Sequence, residues 1–371
     1  MEKKSRIIYI VSFINFSYGL EWMADNMNKS KYAVDFIFLD KTVPEIFQSL
    51  KQKGIKVVFI RYRGKRDLLN VMMRLFVYFL RNKPEIIHAH LFDASFAALP
   101  VAWLAGVKKR IYTRHHATIH HNSHPKAIKY DRLINYFSTK IIAVSENVKK
   151  ILIEREFVEE AKIFVVHHGF DFKITETRKE LLDAIREKYK LDGFYPIVGL
   201  VSRFVDWKGV QFVIPAFKML LTEYPNAKLV LANANGNYKK EIVELLASLP
   251  FRNYVTIEFE KDVFSLMKCF DMIVHVPIDL EAEAFGQIYV EAMSCRVPVI
   301  CTLSGVAGEY IVDEKNALVV PYCNSESIYF CMKKLLEIPD LRSAIIDSAY
   351  IDVIEGFSIK KMIIELLKVY G

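Results

Sequence analysis

The chain has few cysteines, and their placement excludes two common roles. Of its 371 residues only five are cysteine, an odd number, and all lie in the second half without a Cys-x-x-Cys pair. Disulfide frameworks and cysteine zinc sites both depend on paired cysteines at suitable spacing. We therefore interpret the cysteines as small buried apolar side chains and expect a reducing, cytoplasmic setting.

Long apolar runs are also missing. The longest, residues 94–107, has 14 residues and contains Pro100, whereas a membrane-spanning helix needs about 20. The N-terminus carries basic residues before an apolar stretch but has no small-residue cleavage site, so we interpret it as the first strand of the fold and not as a signal peptide. The length of the chain instead predicts two domains, each with its own core.

The net charge of +8 is unevenly distributed. Residues 1–175 carry 29 basic against 16 acidic side chains, whereas the remainder carries 22 basic against 27 acidic ones. This asymmetry predicts that the two halves meet different partners. No binding module or aromatic-basic interleaving supports nucleic acid, so we expect none.

Apolar strand patterns alternate with amphipathic helices, which predicts parallel, doubly wound α/β sheets. A charged stretch, 171–193, separates two such series. We expect two Rossmann-like domains, 1–175 and 176–355, with ligands at the carboxyl ends of the strands in an interdomain cleft, and a terminal helical segment, 356–371, that packs back on the first domain. The predicted strands are 6–13, 34–39, 56–61, 85–90, 109–114, 140–144 and 163–167, then 197–201, 228–231, 254–258, 272–275, 297–301 and 317–320. The helices predicted in the second half are 209–221, 239–249, 286–294, 325–337 and 359–369.

The segment DLEAEAFGQIYVEAMSCRVPVI, residues 279–300, is the most specific pattern in the chain. Glu283 precedes a Phe285-Gly286 step, and Glu291 lies inside the helical periodicity that follows. The free N–H groups of a helix that opens at Gly286 would form an anion site. Eight helical positions span about 12 Å, whereas hydrolytic carboxylate pairs are about 5 to 10 Å apart. The two carboxylates therefore suit two contacts along an elongated ligand, the alternative being solvated Glu residues on an amphipathic helix.

A second motif, GLVSRFVDWKGV, follows the first predicted strand of the second half. Arg203 and Lys208 flank a turn, and Gly209 opens a helix. A strand end, two cations and a helix N-terminus together suit a pyrophosphate, because they stabilise negative charge on a leaving nucleotide without a metal. The alternative is a solvent-facing Arg and Lys at an ordinary strand–helix turn.

The first half has a histidine-rich stretch, YTRHHATIHHNSH, which holds five of the ten histidines. Metal binding is the competing interpretation, since histidines at these spacings can ligate zinc. No cysteine or carboxylate cluster stands nearby in the sequence, so we favour no metal. His88 and His90, which end another strand, are interpreted as structural.

Together these motifs resemble the retaining nucleotide-sugar glycosyltransferases of family four (group 1), which have the GT-B architecture. The resemblance is dense in residues 199–209 and 279–309. It implies that Arg203 and Lys208 hold the donor diphosphate, that Glu283 contacts the donor sugar, and that Glu291 binds the ribose hydroxyls.

The resemblance also assigns backbone contacts and a reaction centre. It implies that the backbone after Phe285-Gly286 contacts sugar hydroxyls or phosphate, and that the first strand–helix turn approaches the phosphates. That turn has only Gly19 where many relatives have paired glycines. The catalytic group would comprise Glu283 with His115 or His116, and sequence leaves open which histidine it is.

The implied function is transfer of a sugar from a UDP- or GDP-linked donor to a hydroxyl acceptor, with retention and without cofactor or metal. The acceptor would be a glycan or a lipid-linked molecule in surface polysaccharide or glycolipid synthesis. Two alternatives remain at this point. One is a nucleotide-sugar epimerase of the same architecture, and the other is a non-catalytic sugar-nucleotide-binding scaffold.

A basic, apolar helix is predicted between Arg61 and Lys83. Its cations would face anionic headgroups at the inner membrane face, while its apolar residues insert or pack. The alternative is a core-covering helix of the first sheet. The apolar residues concerned are Leu68, Met72, Leu75, Phe76 and Phe79.

Overall fold

The computed structural model describes residues 4–27 and 32–371, and the chain divides into two compact units. The first unit runs to Phe170 and takes in Ile359–Gly371, whereas the second is Asp171–Ser358. The boundaries expected from the sequence, 175/176 and 355/356, lie a few residues away from these. Each unit is a parallel sheet covered by helices, so the predicted α/β class is confirmed.

The first unit contains a seven-stranded parallel sheet. Its strands are β1 (Ser5–Ser12), β2 (Tyr32–Asp40), β3 (Lys56–Arg61), β4 (Ile86–His90), β5 (Lys109–Arg114), β6 (Lys140–Ala143) and β7 (Ile163–Val165). They are ordered β3-β2-β1-β4-β5-β6-β7. Because the order reverses between β1 and β4, their carboxyl ends border a crevice where open α/β sheets bind ligands.

Helices cover both faces of this sheet, which explains why its strands are almost continuously apolar. Along β1, Ile7 and Tyr9 enter one core cluster, and Ile8 and Ile10 enter the cluster on the other face. The helices that precede the second unit are α1 (Tyr18–Met27), α2 (Glu45–Gln52), α3 (Leu68–Asn82), α4 (Phe92–Leu104), α5 (Ile119–Ser123), α6 (Ile128–Phe137) and α7 (Glu146–Glu154).

The second unit contains a six-stranded parallel sheet ordered β10-β9-β8-β11-β12-β13. Its strands are β8 (Ile197–Val201), β9 (Lys228–Ala232), β10 (Tyr254–Ile257), β11 (Met272–His275), β12 (Val299–Cys301) and β13 (Leu318–Val319). Its helices are α8 (Lys179–Lys188), α9 (Val210–Leu220), α10 (Lys239–Leu246), α11 (Val263–Lys268), α12 (Gln287–Ser294), α13 (Ala307–Tyr310), α14 (Ser325–Glu337) and α15 (Pro339–Gly356). The order reverses between β8 and β11, which places a second crevice at their carboxyl ends.

The sequence patterns predicted neither α8, which lies in the charged stretch, nor the 18-residue helix α15. Helix α15 packs against α12 and holds Arg296, the second residue after the end of α12. Arg296 has a φ of +59°, which favours glycine. Its guanidinium pairs with Asp347 at 2.8 Å and lies 4.0 Å from the ring centre of Tyr350, so contacts with α15 offset this backbone preference.

The last helix, α16 (Ile359–Tyr370), belongs to the core of the first unit. The Tyr370 hydroxyl bonds to the hydroxyl of Tyr9 and lies 2.6 Å from His88 Nδ1. Lys109 Nζ donates to the Tyr370 carbonyl at 2.6 Å. The C-terminus is therefore tied to three strands of the first sheet.

The apolar residues of α3 that were candidates for membrane insertion instead pack on the sheet. Leu75 and Phe79 are fully buried, and Leu68, Met72 and Phe76 pack partly buried against the same cluster. A different apolar row of α3 is exposed: Leu69, Met73, Val77 and Leu80. Within residues 4–27 and 32–371, no helix is both long and apolar enough to cross a bilayer.

Candidate functional site

Two loops of the second unit meet at the carboxyl ends of β8 and β11. Lys208 follows β8, and its ammonium forms an ion pair with the carboxylate of Glu283, which follows β11. His275, the last residue of β11, places its Nε2 3.0 Å from Glu283 Oε1. Lys208 and Glu283, which come from two motifs and stand 75 positions apart in the sequence, are therefore in direct contact.

A third loop, after β12, supports Glu283 from behind. The Glu283 N–H donates to Ser304 Oγ at 3.1 Å, and Val306 N–H donates to the Phe285 carbonyl at 2.9 Å. Between them Gly305 has a φ of +61°, and a Cβ there would lie 2.8 Å from the Glu283 Cβ. Only glycine fits at that position, so the loop closes tightly against the segment that carries Glu283 and Phe285.

The charge of Glu283 is fixed by its surroundings. Its side chain is buried, which opposes ionisation, but the nearby Lys208 charge and the hydrogen bond from His275 outweigh burial and lower the pKa of Glu283 to about 2. Burial lowers the pKa of His275. Glu283 is therefore a carboxylate at neutral pH, able only to accept hydrogen bonds.

The turn after β8 brings Lys208 to this position. Gly209 begins α9 with a φ of +75°, and a Cβ there would lie 1.8 Å from the Val276 carbonyl oxygen. The turn therefore contacts the end of β11 through its backbone. Arg203 is exposed and makes no ion pair with any residue that the structure describes.

Glu291 lies on α12, which begins after Gly286, a residue with a φ of +85°. The Glu291 side chain is partly buried, and its carboxylate makes no ion pair or hydrogen bond across residues 4–27 and 32–371. Burial raises the pKa of Glu291 to about 7. This group is thus both under-solvated and available to a ligand, unlike the paired Glu283.

His115 belongs to a row of histidines in the first unit that comprises the buried His88 and the partly buried His90, His115 and His168. Its Nε2 lies 3.1 Å from His90 Nδ1, and its ring stacks on His168 with centres 5.5 Å apart. Burial, together with neighbouring His90 and His168, holds the pKa of His115 well below its usual value. At the end of the row, His88 bonds to Tyr370 and Thr113 inside the core, in keeping with a structural role.

His116 has different surroundings from His115. Its Nε2 lies 3.4 Å from Asp131 Oδ1, and His120 Nδ1 lies 2.6 Å from Asp131 Oδ2. Arg114, which is fully buried, pairs with Asp131 at 3.1 Å and also with Glu156. Sequence reasoning missed Asp131 and Glu156, because no local motif marks a carboxylate that reaches the histidines only through tertiary packing.

Gly19 lies in the first turn of α1, in the first unit. A Cβ added at Gly19 would have Ser17 Oγ as its nearest neighbour, at 3.8 Å, which is an ordinary contact distance. The backbone therefore does not require glycine there, and a phosphate contact from Gly19 stays a prediction. His275, Ser304 and Gly305 are the supporting residues that the sequence analysis did not identify.

Comparisons with known proteins identify the family of the chain. The family model described as Glycosyltransferase Family 4 matches residues 23–173, and the model described as Glycosyl transferases group 1 matches residues 183–352. The chain belongs to this glycosyltransferase family. The two Rossmann-like domains of the glycosyltransferase are those of the GT-B fold.

Three known proteins illustrate the similarity. The glycosyltransferase is 25% identical over 297 residues to the capsular polysaccharide biosynthesis glycosyltransferase CapM of Staphylococcus aureus, covering 76% of each chain. It is 30% identical over 167 residues, 42% of each chain, to a GDP-mannose-dependent phosphatidylinositol monomannoside mannosyltransferase of Mycolicibacterium smegmatis. The structure of Anabaena HepE in complex with UDP and glucose superposes with a TM-score of 0.84 at 18% identity, covering 99% of each chain.

Removing one partner of the buried pair should destabilise the second unit. We expect Lys208→Met to lower the free energy of unfolding by about 3 kcal/mol at pH 7, since it leaves a buried carboxylate uncompensated. The pair stabilises the fold above the unfolded-state pKa of Glu, about 4.3, and this contribution is lost as the pH falls towards the folded-state value of about 2. The difference in unfolding free energy between Lys208→Met and the unaltered protein should therefore become smaller below pH 5.

Urea unfolding followed by Trp207 fluorescence, in a Trp22→Phe, Trp103→Phe background, measures this effect in the second unit. The double variant Lys208→Met, Glu283→Gln should recover most of the unfolding free energy that Lys208→Met loses. Lys334→Met, which breaks the exposed pair with Glu314, is the control and should cost less than about 1 kcal/mol. Equal stability of Lys208→Met and the unaltered protein at pH 7 would contradict the account.

Proposed function

We propose that the glycosyltransferase moves a sugar from a UDP- or GDP-linked donor to a hydroxyl group of a glycan or lipid-linked acceptor, with retention of anomeric configuration. The observation that carries this proposal is the contact between Lys208 and Glu283 at the carboxyl ends of β8 and β11. It places a cation and an ionised carboxylate side by side where open α/β sheets bind ligands. A nucleotide sugar carries its anionic diphosphate next to a sugar with several hydroxyl groups, so the cation would face the diphosphate and the carboxylate would face the hydroxyl groups.

Lys208 and Arg203 would bind the donor diphosphate. When the bond between the anomeric carbon and the diphosphate oxygen breaks, negative charge develops on the leaving nucleotide. Two cations and the N-terminus of α9 stabilise that charge, so this step needs no metal. The guanidinium of Arg203 is exposed and makes no ion pair with the described residues, so it is available for this contact.

Glu283 would accept hydrogen bonds from the sugar hydroxyls. In the free protein its carboxylate is occupied by Lys208 and His275. A diphosphate that takes over Lys208 releases one carboxylate oxygen for the sugar, while His275 and Ser304 keep the side chain and backbone in place. The backbone after Phe285-Gly286 would contact the same sugar, and Glu291 would accept the ribose hydroxyls.

His115 and His116 remain the candidates for the reaction centre of the first unit. Burial keeps both imidazoles neutral at pH 7, with the pKa of His116 lowered to about 4. A neutral imidazole can accept a hydrogen bond from the attacking hydroxyl and assist its deprotonation. The acceptor class is supported by the relatives, one named for capsular polysaccharide and one for a phosphatidylinositol mannoside.

Turnover with purified protein tests the function. A panel of UDP- and GDP-sugars is screened first by thermal shift, since a ligand of the folded state raises the melting temperature. The donor found is then incubated with and without candidate acceptors, and the product anomer is assigned by NMR. We expect acceptor-dependent product of retained configuration, and a loss of about 100-fold or more in kcat/KM for Glu283→Gln.

The control is Glu314→Gln, which alters a surface carboxylate of the same unit and should leave kcat/KM unchanged. Conversion of the donor to an equal extent without acceptor would favour the epimerase alternative. Donor binding with neither transfer nor hydrolysis would favour the scaffold.

The raised pKa of Glu291 predicts pH-dependent donor affinity. Hydroxyl donors bind the carboxylate form, so binding requires loss of the Glu291 proton, whose pKa is about 7 in the free protein. The Kd of a nucleotide sugar should fall about tenfold from pH 6 to pH 8 and then level off. A nucleotide sugar is used because its diphosphate does not titrate in this range. Calorimetry on Glu291→Gln should show weaker binding, with a Kd that does not change with pH. If the Kd of that variant changes with pH as it does in the unaltered protein, Glu291 does not belong to the site.

We further propose that α3 places the glycosyltransferase against an anionic membrane. Leu69, Met73 and Val77 form an exposed row at helical spacing, and the exposed cations Arg66 and Arg74 flank it. Apolar side chains that enter the interface and cations that meet lipid phosphates are the two features of a peripheral amphipathic helix.

Vesicle sedimentation tests this contact. The protein should partition onto vesicles that contain phosphatidylglycerol more than onto phosphatidylcholine alone. Met73→Glu should weaken partitioning about tenfold, since it removes an apolar side chain worth about 1.5 kcal/mol. Val243→Glu, at a similarly exposed position on α10, is the control. Equal partitioning onto both vesicle types, or equal loss in both variants, would reject the contact.

A further inference from the structure

Two imidazoles and one carboxylate converge in the first unit. His116 follows β5, His120 lies in α5, and Asp131 lies in α6. One ligand atom from each lies within 4.8 Å of the others. Each carboxylate oxygen of Asp131 faces one imidazole nitrogen, at 3.4 Å for His116 Nε2 and 2.6 Å for His120 Nδ1.

Two of these atoms are buried and make no hydrogen bond of acceptable geometry to any residue that the structure describes, His116 Nε2 and Asp131 Oδ1. Asp131 Oδ1 does form an ion pair with Arg114 at 3.1 Å, and the Asp131 side chain is only 1% exposed. A buried polar atom without a hydrogen bond costs about 1 to 3 kcal/mol. A small cavity lined by His116, Asp131, Tyr112 and Ser95 adjoins them. The arrangement therefore offers desolvated donor atoms beside open space.

We propose that His116, His120 and Asp131 bind one divalent transition-metal ion of the Zn²⁺ class. Two nitrogens and one carboxylate oxygen form the donor set of a three-ligand zinc site. With bonds of about 2.0 to 2.1 Å, tetrahedral geometry separates ligand atoms by about 3.3 Å. His116 Nε2 and Asp131 Oδ1 already lie 3.4 Å apart, so Oδ1 would be the ligand oxygen. His120 Nδ1, which lies 2.6 Å from Asp131 Oδ2, would give up any proton it carries and turn to the ion.

The surrounding charges favour a cation at this point. Arg114 is held between Asp131 and Glu156, so one guanidinium faces two carboxylates and a net negative charge remains. Arg114 Nε also donates to the His116 carbonyl at 3.1 Å, which fixes the loop. Groups that orient ligating carboxylates in this way belong to many metal sites.

This site changes the assignment of the histidine-rich stretch. No carboxylate cluster stands beside these histidines in the sequence, because Asp131 lies one helix farther along the chain and reaches them only in the folded unit. Three protein ligands leave a fourth position for water or a hydroxyl group. If His116 is a metal ligand, His115 is the neutral imidazole left for the proposed reaction centre.

Metal titration of the full chain, with no affinity histidine tag and after chelator treatment, tests the site. Equilibrium dialysis against Zn²⁺ with elemental analysis should give about one tightly bound ion per chain. Co²⁺ alone should give the visible absorption of a four-coordinate site. His116→Ala and His120→Ala should each weaken Zn²⁺ binding at least tenfold, since even outer-shell changes cost about 10- to 100-fold.

His124→Ala is the matched control, because this exposed histidine lies in the same stretch outside the cluster. Circular dichroism of the metal-free variants verifies that they are folded, so loss of binding is not loss of structure. Zn²⁺ should raise the melting temperature of the unaltered protein and of His124→Ala, but not that of His120→Ala. No bound ion in the unaltered protein, or equal loss in His124→Ala, overturns the proposal.

Discussion

The buried ion pair between Lys208 and Glu283 is the interaction around which the second unit is arranged. It joins the loops after two neighbouring strands, β8 and β11. His275 also bonds to the Glu283 carboxylate, and Ser304 Oγ accepts a hydrogen bond from the Glu283 backbone N–H. A buried carboxylate without its cation would be costly, so the pair constrains both loops at once. The same pair leaves an anion-binding ammonium and a hydroxyl-binding carboxylate next to each other, which is what a sugar diphosphate requires.

Parallel topology explains why the site forms where it does. All strands of a parallel sheet end at one edge, and the order of both sheets reverses once, at β1 and β4 in the first unit and at β8 and β11 in the second. The histidine row lies at the end of β4 and after β5 and β7, and the Lys208–Glu283 pair follows β8 and β11. Residues with functional side chains therefore lie at the carboxyl ends of the strands, where the reversal of strand order opens a crevice.

Much of the fold was predictable from apolar periodicity. Strands such as β3 and β8 were predicted with their observed limits, because buried parallel strands are continuous apolar runs bounded by polar residues. Helix α15 was not predicted, because its apolar residues do not form one clear stripe. The insertion role considered for Leu75 and Phe79 was wrong, since both residues cover the sheet instead.

The candidate site was only partly predictable, for a similar reason. Lys208, Glu283 and Glu291 stand in local motifs, whereas His275 and Ser304 act through contacts between strands that are distant in sequence. Asp131 likewise meets His116 and His120 only in the folded unit. The backbone at Gly19 does not require glycine, so the presence of glycine there is weak evidence for a phosphate contact.

Crystals grown with a nucleotide sugar would test the central claim most directly. The account predicts that Lys208 Nζ moves from Glu283 to a diphosphate oxygen and that a Glu283 oxygen accepts a hydrogen bond from the sugar. Nucleotide sugar bound elsewhere, with the Lys208–Glu283 pair intact, would contradict it.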